Sequence, residues 1–244
     1  MMTFRLKARL FARSLLLQSC WSYERMQGLG FAYSIEPFVG REQARARHLE
    51  FFNTQPFVAP LVLGMSCALE EQARALPEPE RSAKLARLKA LKSGAACALA
   101  AVADSLFWGS LRPMCAALGW LASLVVTRTH GAELGAGAAA LVYLISYNVP
   151  SLWTRWKGLE LGYAWGERLA VELKNLRPRA LIRRTAAAGA LATLACAGLL
   201  LQGEARPLVA GAALAVFIAL PLAASKLYAG SALLGAAAAA AGWI

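Results

Sequence analysis

Three consecutive polar residues follow two phenylalanines in the stretch HLEFFNTQP, residues 48–56. Carboxamides and hydroxyls beside aromatic rings commonly hold sugar hydroxyls and ring faces, so Asn53, Thr54 and Gln55 are candidate substrate-pathway residues. A helix–cap–helix corner explains the same stretch, with Asn53 or Thr54 capping a helix that carries Pro56 in its first turn. This corner leaves His48 and Glu50 in solvent and both phenylalanines packed. Alone, the stretch favours the corner.

Two ionisable residues lie inside an apolar segment, in ADSLFWGSLRP, residues 103–113. Ionisable side chains at membrane depth are costly and usually face a cavity or a partner. Asp104 and Arg112 lie on roughly one helix face, two turns apart and too distant for an ion pair, with Trp108 between them. Pro113 is expected to break the helix, which frees backbone groups for ligand in transporters. The pattern favours a site, against the alternative that Arg112 snorkels and Asp104 caps a helix.

Aromatic and charged residues crowd the stretch RSLLLQSCWSYERMQGLGFAYSIEP, residues 13–37, which contains Trp21, Tyr23, Glu24 and Arg25. Composition favours an interfacial helix with aromatic belt residues and a Glu–Arg pair. The alternative is a surface that contacts a partner protein, so these four residues are partner or interface candidates.

Sequence patterns of known catalytic sites do not occur in the 244 residues. There is no P-loop, GxSxG, HExxH or paired-histidine metal box, and only two histidines are present. The five cysteines form no CxxC and are expected to be free thiols. We therefore expect a transport or scaffold protein without catalytic activity, metal or cofactor, whose chemistry lies on a partner.

The composition is that of a membrane protein, with 58% hydrophobic and 16% charged residues and a mean hydropathy of +0.47. The net charge is +12, and the cations flank apolar segments. That arrangement indicates contact with anionic lipid and argues against nucleic acid as a partner.

Hydropathy predicts an all-α integral membrane protein, with N-terminal interfacial and re-entrant helices followed by a transmembrane helical bundle. The apolar run 58–68 is too short to span and is expected to be re-entrant or packed on a partner. Apolar segments near the C-terminus cover about 185–201, 207–224 and 227–244. Four regions are predicted: 1–92 basic, amphipathic and re-entrant; 93–153 membrane core with a broken helix; 154–184 cytoplasmic and basic; 185–244 C-terminal transmembrane helices.

Charge distribution predicts the orientation of the chain. The apolar run Leu15–Leu17 is too short for a signal peptide, so the N-terminus is expected in the cytoplasm. Residues 154–184 are cytoplasmic by the positive-inside rule, which places the loop 202–206 and the C-terminus outside.

Taken together, these motifs resemble the IID subunit of the mannose/fructose/sorbose family of bacterial phosphotransferase-system (PTS) sugar permeases. The resemblance is strong over about 13–72 and 102–120 and fades after 170. The matching stretches, in the family's order, are RSLLLQSCWSYERMQGLGFAYSIEP, RHLEFFNTQPFVAPLVLGMSCALEEQ and DSLFWGSLRP, with a weaker match in TRWKGLELGYAWG.

The resemblance implies a specific assembly in the bacterial inner membrane. A IID subunit pairs with a IIC membrane subunit to form the translocation pathway for a hexose of the mannose, fructose or sorbose type. IIA and IIB subunits relay phosphate from phosphoenolpyruvate to the entering sugar, and IID carries no phosphohistidine. A trimer of IIC–IID pairs is an expectation from the family.

One run departs from the family pattern. The family carries a GPLAGxGD run before its FWG motif, whereas residues 97–104 here read CALAAVAD. Replacing helix-breaking glycine and proline with cysteine and alanine predicts continuous helix. The chain is also short before its last spans. These departures leave an alternative function, a divergent non-transporting scaffold or regulatory membrane subunit that retains IIC binding.

Overall fold

The computed structural model describes residues 2–201, and their regular structure is helical. Two isolated bridges, Ser22–Met26 and Met26–Phe52, are the other backbone pairings of this part of the chain. The predicted all-α fold is confirmed, while the predicted segments 207–224 and 227–244 lie outside the described residues. The elements are α1 (Phe4–Ser14), α2 (Gly28–Val39), α3 (Arg41–His48), α4 (Ala59–Arg74), α5 (Glu80–Leu106), a π-helical segment (Phe107–Leu111), α6 (Arg112–His130), α7 (Ala132–Trp165), a 3-10 turn (Gly166–Arg168), α8 (Leu169–Asn175) and α9 (Pro178–Leu201).

Three helical stretches are long and apolar enough to cross a membrane: Glu80–His130, Ala132–Asn175 and Pro178–Leu200. The composition boundaries predicted at 92 and 153 fall inside α5 and α7. A helix is held by hydrogen bonds between residues four apart, so a change of surface chemistry does not end it. Polar and apolar regions are therefore parts of the same long helices.

The predicted helix break at Pro113 is wrong. The chain stays helical from α5 through the π-helical segment into α6, where Pro113 is the second residue. A proline ring clashes with the carbonyl four residues earlier, here that of Gly109. Gly109 lies in the π-helical segment, whose wider turn accommodates the proline without a break.

Helix α4 forms the centre of the fold, and nearly all of its side chains are buried. It packs against α2, α5 and α7, so this chain itself covers the apolar run 58–68. Of the two expected arrangements, packing on a partner is therefore wrong, and the re-entrant one stays a prediction. Backbones of α4 and α7 touch at glycines: a Cβ added to Gly64 would lie 2.1 Å from the Leu159 carbonyl oxygen. A Cβ added to Gly162 would lie 2.0 Å from the Leu61 carbonyl oxygen.

The basic amphipathic segment predicted at the N-terminus is helix α1, which lies against the C-terminal half of α7. Phe4 and Phe11 contact the Trp156 ring with centroid distances of 5.7 and 5.2 Å. Lys7 pairs with Glu160 at 2.8 Å and lies over the same indole. Helix α7 thus covers part of the apolar face of α1, which also packs against α2.

Candidate functional site

The HLEFFNTQP stretch spans the end of α3 and the loop that leads to α4, and Gln27 holds this loop from the other side. The Gln27 backbone N–H donates to the Phe52 carbonyl at 2.8 Å. Its side chain donates to the Thr54 carbonyl at 2.7 Å and accepts the Thr54 N–H at 3.2 Å. The buried Gln27 carboxamide therefore pairs with the Thr54 backbone as a peptide group of a neighbouring strand would.

The expected capping of α4 by Asn53 or Thr54 is wrong, because α4 begins at Ala59. The Thr54 hydroxyl instead donates to the Ala96 carbonyl of α5 at 2.9 Å. Gln55 orders the approach to α4, because its side-chain oxygen accepts the Phe57 N–H at 2.6 Å. Its backbone carbonyl accepts the N–H groups of Val58 and Ala59 at 3.1 and 3.2 Å. The polar residues thus tie the loop to α5 and α4.

His48 was expected in solvent, but it is fully buried beside Glu70 of α4. Its Nε2 lies 3.0 Å from Glu70 Oε1, and Arg47 donates two hydrogen bonds to the Glu70 carboxylate at 2.9 and 2.7 Å. Burial raises the pKa of Glu70, but the hydrogen bonds from His48 and Arg47 outweigh it and hold that pKa at about 2. Burial lowers the pKa of His48, against the raising effect of its hydrogen bond to Glu70.

The protonation state of His48 follows from its surroundings. Its Nδ1 is buried without a hydrogen-bond partner among the described residues. A neutral ring with its proton on Nε2 can donate to Glu70 and leaves only an acceptor unpaired at Nδ1. An imidazolium would bury an unpaired N–H at the same atom, so the neutral form fits the fold.

Acid is therefore expected to lower the stability of the protein in two pH windows. Both groups have pKa values below their ordinary ones, so each contributes stability that is lost as pH falls. His48 contributes fully above its ordinary pKa of 6.5 and loses this contribution below it, and Glu70 loses its own between 4.5 and about 2. Thermal unfolding midpoints measured against pH in detergent should fall in both windows. His48→Gln should flatten the decrease in unfolding midpoint below pH 6.5, and exposed His130→Gln should not. An equal effect of both substitutions would contradict the assignment of this decrease to His48.

Glu50 was also expected in solvent, but it pairs with two lysines of α5. Lys89 lies 2.9 Å and Lys92 3.4 Å from its carboxylate. Lys92 is only 1% exposed, and its ammonium lies 4.4 Å from the centroid of the Phe31 ring and 5.6 Å from that of Phe52. The buried cation joins α5, α2 and the loop beside the candidate site.

A cavity of about 230 Å³, here named the polar cavity, opens between this loop and α5. Five of the six predicted substrate-pathway residues line it, together with Gln18 and Gln27, which sequence reasoning missed. The complete lining is Gln18, Gln27, Asn53, Thr54, Gln55, Pro56, Ala100, Asp104 and Trp108. The sixth predicted residue, Arg112, stands outside this lining, with its guanidinium 5.0 Å from the centroid of the Trp108 ring.

The polar cavity offers both a hydrogen-bond donor and a hydrogen-bond acceptor. Gln55 is 3% exposed, and its Nε2 has no partner among the described residues. Asp104 has no ion pair in this part of the chain. With the half-exposed indole of Trp108, these groups suit a small, neutral, hydroxyl-rich ligand. Residues 2–201 contain no cluster of three or more potential metal ligands.

The four partner candidates lie together in the connection between α1 and α2, and none of them lines the polar cavity. Residues 21–27 form a turn closed by the Ser22–Met26 bridge, so the expected interfacial helix is wrong for this stretch. The predicted Glu24–Arg25 pair is present at 3.7 Å. The four side chains are exposed, and that of Tyr23 is 87% exposed.

The fold and the site define an all-helical membrane protein with a polar cavity beside its long apolar helices. Residues 3–202 match the family described as "PTS system mannose/fructose/sorbose family IID component". The chain belongs to this family, which confirms the resemblance drawn from its motifs.

Named relatives support the assignment. The chain is 42% identical over 165 residues to the mannose-specific EIID component of Escherichia coli K12, covering 64% of this chain and 54% of that protein. It is 37% identical over 172 residues to the sorbose-specific EIID component of Klebsiella pneumoniae, covering 67% and 58%. Identity to the fructose permease IID component of Bacillus subtilis is 31% over 176 residues, covering 69% and 59%. The chain thus spans little more than half the length of these curated relatives.

Two solved structures share the fold. One, described as "Structure of membrane protein", has a TM-score of 0.65 at 29% identity and covers 98% of this chain and 97% of its own. The other is a cryo-EM structure of the mannose transporter ManYZ with microcin E492, with a TM-score of 0.57 at 29% identity and coverages of 99% and 98%.

Proposed function

We propose that this chain is a IID membrane subunit that forms, with a IIC subunit, the translocation pathway for a mannose-, fructose- or sorbose-type hexose. Family membership and the fold shared with a mannose transporter support the proposal. The observation that carries it is the polar cavity, which joins the carboxamides of one motif to Asp104 and Trp108 of another. Phosphoryl transfer lies on IIA and IIB partner subunits.

The cavity suits passage better than tight retention. The Gln55 Nε2, which has no partner within residues 2–201, donates to a sugar hydroxyl, Asp104 accepts from one, and Trp108 offers an indole for the ring face. The cavity is open to its surroundings, so a bound hexose exchanges part of its hydration for these contacts and can leave again. Transport requires binding strong enough for entry and weak enough for release.

The test is phosphoenolpyruvate-dependent hexose uptake into membranes that contain this chain, IIC and IIA/IIB. Asn53→Ala combined with Gln55→Ala should lower uptake about tenfold or more, since each lost hydrogen bond is worth about 1 kcal/mol. Phe51→Ala, in the same loop but exposed and outside the cavity lining, is the matched control. The double variant should still copurify with IIC; if this assembly fails first, the loop has a structural role only.

A second candidate function is a scaffold or regulatory subunit that binds IIC without handling sugar. The run CALAAVAD, 97–104, supports it, because these residues lie in the continuous helix α5 as the sequence predicts. A scaffold would retain IIC binding and show no effect of cavity substitutions on uptake. A loss of uptake in the double variant with IIC still bound excludes this candidate.

We also propose how the chain is oriented in the membrane and which surface contacts IIC. The N-terminus lies in the cytoplasm and the C-terminus outside, with α1 and the basic 154–184 region near anionic lipid. Arg5 and Arg9 of α1 are the cations of that helix for which the structure records no ion pair among residues 2–201. The exposed Trp21, Tyr23, Glu24 and Arg25 are proposed to contact IIC, and the IIC–IID pairs to form a trimer.

A further inference from the structure

The π-helical segment Phe107–Leu111 interrupts the regular hydrogen bonding of one long helix. The Arg112 N–H bonds to the Phe107 carbonyl, five residues back, in place of the four of an α-helix. The turn therefore holds one residue more than an α-helical turn. Such turns are frequent at functional sites.

Ser110 supports the wide turn from inside the fold. Its hydroxyl is buried and lies 2.9 Å from the Leu106 carbonyl and 3.3 Å from that of Ser105. A wide turn displaces carbonyls from their usual partners, and a buried carbonyl without a partner is costly. The Ser110 hydroxyl lies within reach of two carbonyls at this point and lowers the cost of the irregular turn.

The segment directs two adjacent aromatic rings in different directions. Phe107 is buried, with its ring centroid 4.9 Å from that of Phe57. Trp108, the next residue, is 49% exposed and lines the polar cavity. Arg112, just beyond the segment, lies over the Trp108 ring. The wide turn thus lies where one side chain anchors the helix and its neighbour reaches the cavity.

We propose that the π-helical segment is a positioning element that sets the Trp108 indole against the polar cavity, with Ser110 as its positioning residue. The wide turn holds one extra residue, so a regular α-helix would keep α6 in its present orientation relative to α5 only if one residue of the turn were removed. Removal of Gly109 would leave Trp108 four residues after Asp104 but only three before Arg112, so the indole would lose its present angle to the Arg112 guanidinium that lies over it. The proposal rests on the proposed function, because the ligand that Trp108 meets is the hexose of the pathway.

Two glycines of the same long helix provide a matched test. Gly109 lies in the π-helical segment and Gly94 in regular α5; both are exposed, and neither contributes a side chain. Deleting Gly109 converts the wide turn into an α-helical one and leaves α5 and α6 in register. Deleting Gly94 rotates everything before it by about 100° relative to everything after it, because an α-helix has 3.6 residues per turn.

The deletions are made in the complex with IIC, and both copurification and the KM for hexose uptake are measured. Deletion of Gly109 should leave copurification intact and raise KM about tenfold, the loss of one favourable contact in the cavity. Deletion of Gly94 should abolish copurification. The positioning role is overturned if deletion of Gly109 abolishes copurification as well, or if it leaves KM unchanged.

Ser110 and Trp108 supply the remaining variants. Ser110→Ala should raise KM several-fold with the maximal rate retained, and Ser110→Thr, which keeps the hydroxyl, should restore it. Unchanged KM in Ser110→Ala overturns the assignment of Ser110. Trp108→Ala separates the two proposals: if it raises KM while deletion of Gly109 does not, only the positioning role fails. If Trp108→Ala leaves KM unchanged, the role of the cavity in the proposed function fails.

Discussion

Replacing Gly64 with alanine is expected to prevent stable folding of the helix core. The added methyl group would lie 2.1 Å from the Leu159 carbonyl oxygen and 2.7 Å from the Tyr163 backbone nitrogen. Both atoms belong to the backbone of α7, so no side-chain rotation relieves the overlap. Overpacking costs typically about 1–3 kcal/mol, and this contact should reach or exceed the upper end of that range. The free energy of unfolding, measured by denaturant titration in detergent, reports the loss.

Gly137→Ala is the matched control, because Gly137 also lies inside a helix but has no neighbouring atom near its added Cβ. Alanine is favoured over glycine in a helix interior by about 0.5–1 kcal/mol, so this variant should be neutral or more stable. Similar stabilities of the two variants would contradict the close α4–α7 contact.

Glu70→Ala is expected to destabilise the protein by about 3 kcal/mol, the lower end of the range for breaking a buried ion pair, since Glu70 is buried but the Arg47 side chain is 28% exposed. Glu70 is 1% exposed and receives hydrogen bonds from Arg47 and His48. Without the carboxylate, the Arg47 guanidinium loses its counter-ion, and the buried His48 ring loses the hydrogen bond at Nε2. The same denaturant titration measures the effect. As a second readout, the variant should lack the decrease in unfolding midpoint between pH 4.5 and about 2.

Glu160→Ala is the control for this prediction. Glu160 also pairs with two cations, Lys7 and Lys157, but it is half-exposed. Exposed pairs contribute about 0–1 kcal/mol, because water screens them. A loss at Glu160 as large as that at Glu70 would show that burial does not decide the contribution of these pairs.

The composition of the polar cavity was largely predictable from sequence, because polar residues are conspicuous among apolar ones. Asn53, Thr54, Gln55, Asp104 and Trp108 all meet the same space, although two motifs about fifty residues apart supply them. Their meeting depends on the hydrogen bond from Thr54 to α5, which no local pattern encodes. Their role in transport stays a prediction.

The missed features depend on partners distant in sequence. Gln27 substitutes for backbone beside Thr54, and a lone glutamine in a polar stretch gives no sign of that role. His48, Glu50 and Lys92 look like surface residues of short polar helices, yet each is held by groups 22 to 42 residues away. The helix break expected at Pro113 failed because the wider turn before it accommodates the ring.

Hexose protection of a thiol in the polar cavity tests directly whether a sugar passes through it. Cys20 and Cys97 are exposed, so both are first replaced with serine in the complex with IIC. Ala100 lines the cavity without a hydrogen-bonding side chain, and the next residue, Ala101, is exposed and outside the lining. Maleimide labelling of Ala100→Cys is compared with that of Ala101→Cys.

A saturating hexose should slow labelling at position 100 about tenfold and leave position 101 unchanged, since a site nine-tenths occupied leaves one thiol in ten accessible. Equal labelling with and without hexose at position 100 would contradict a sugar pathway through this cavity.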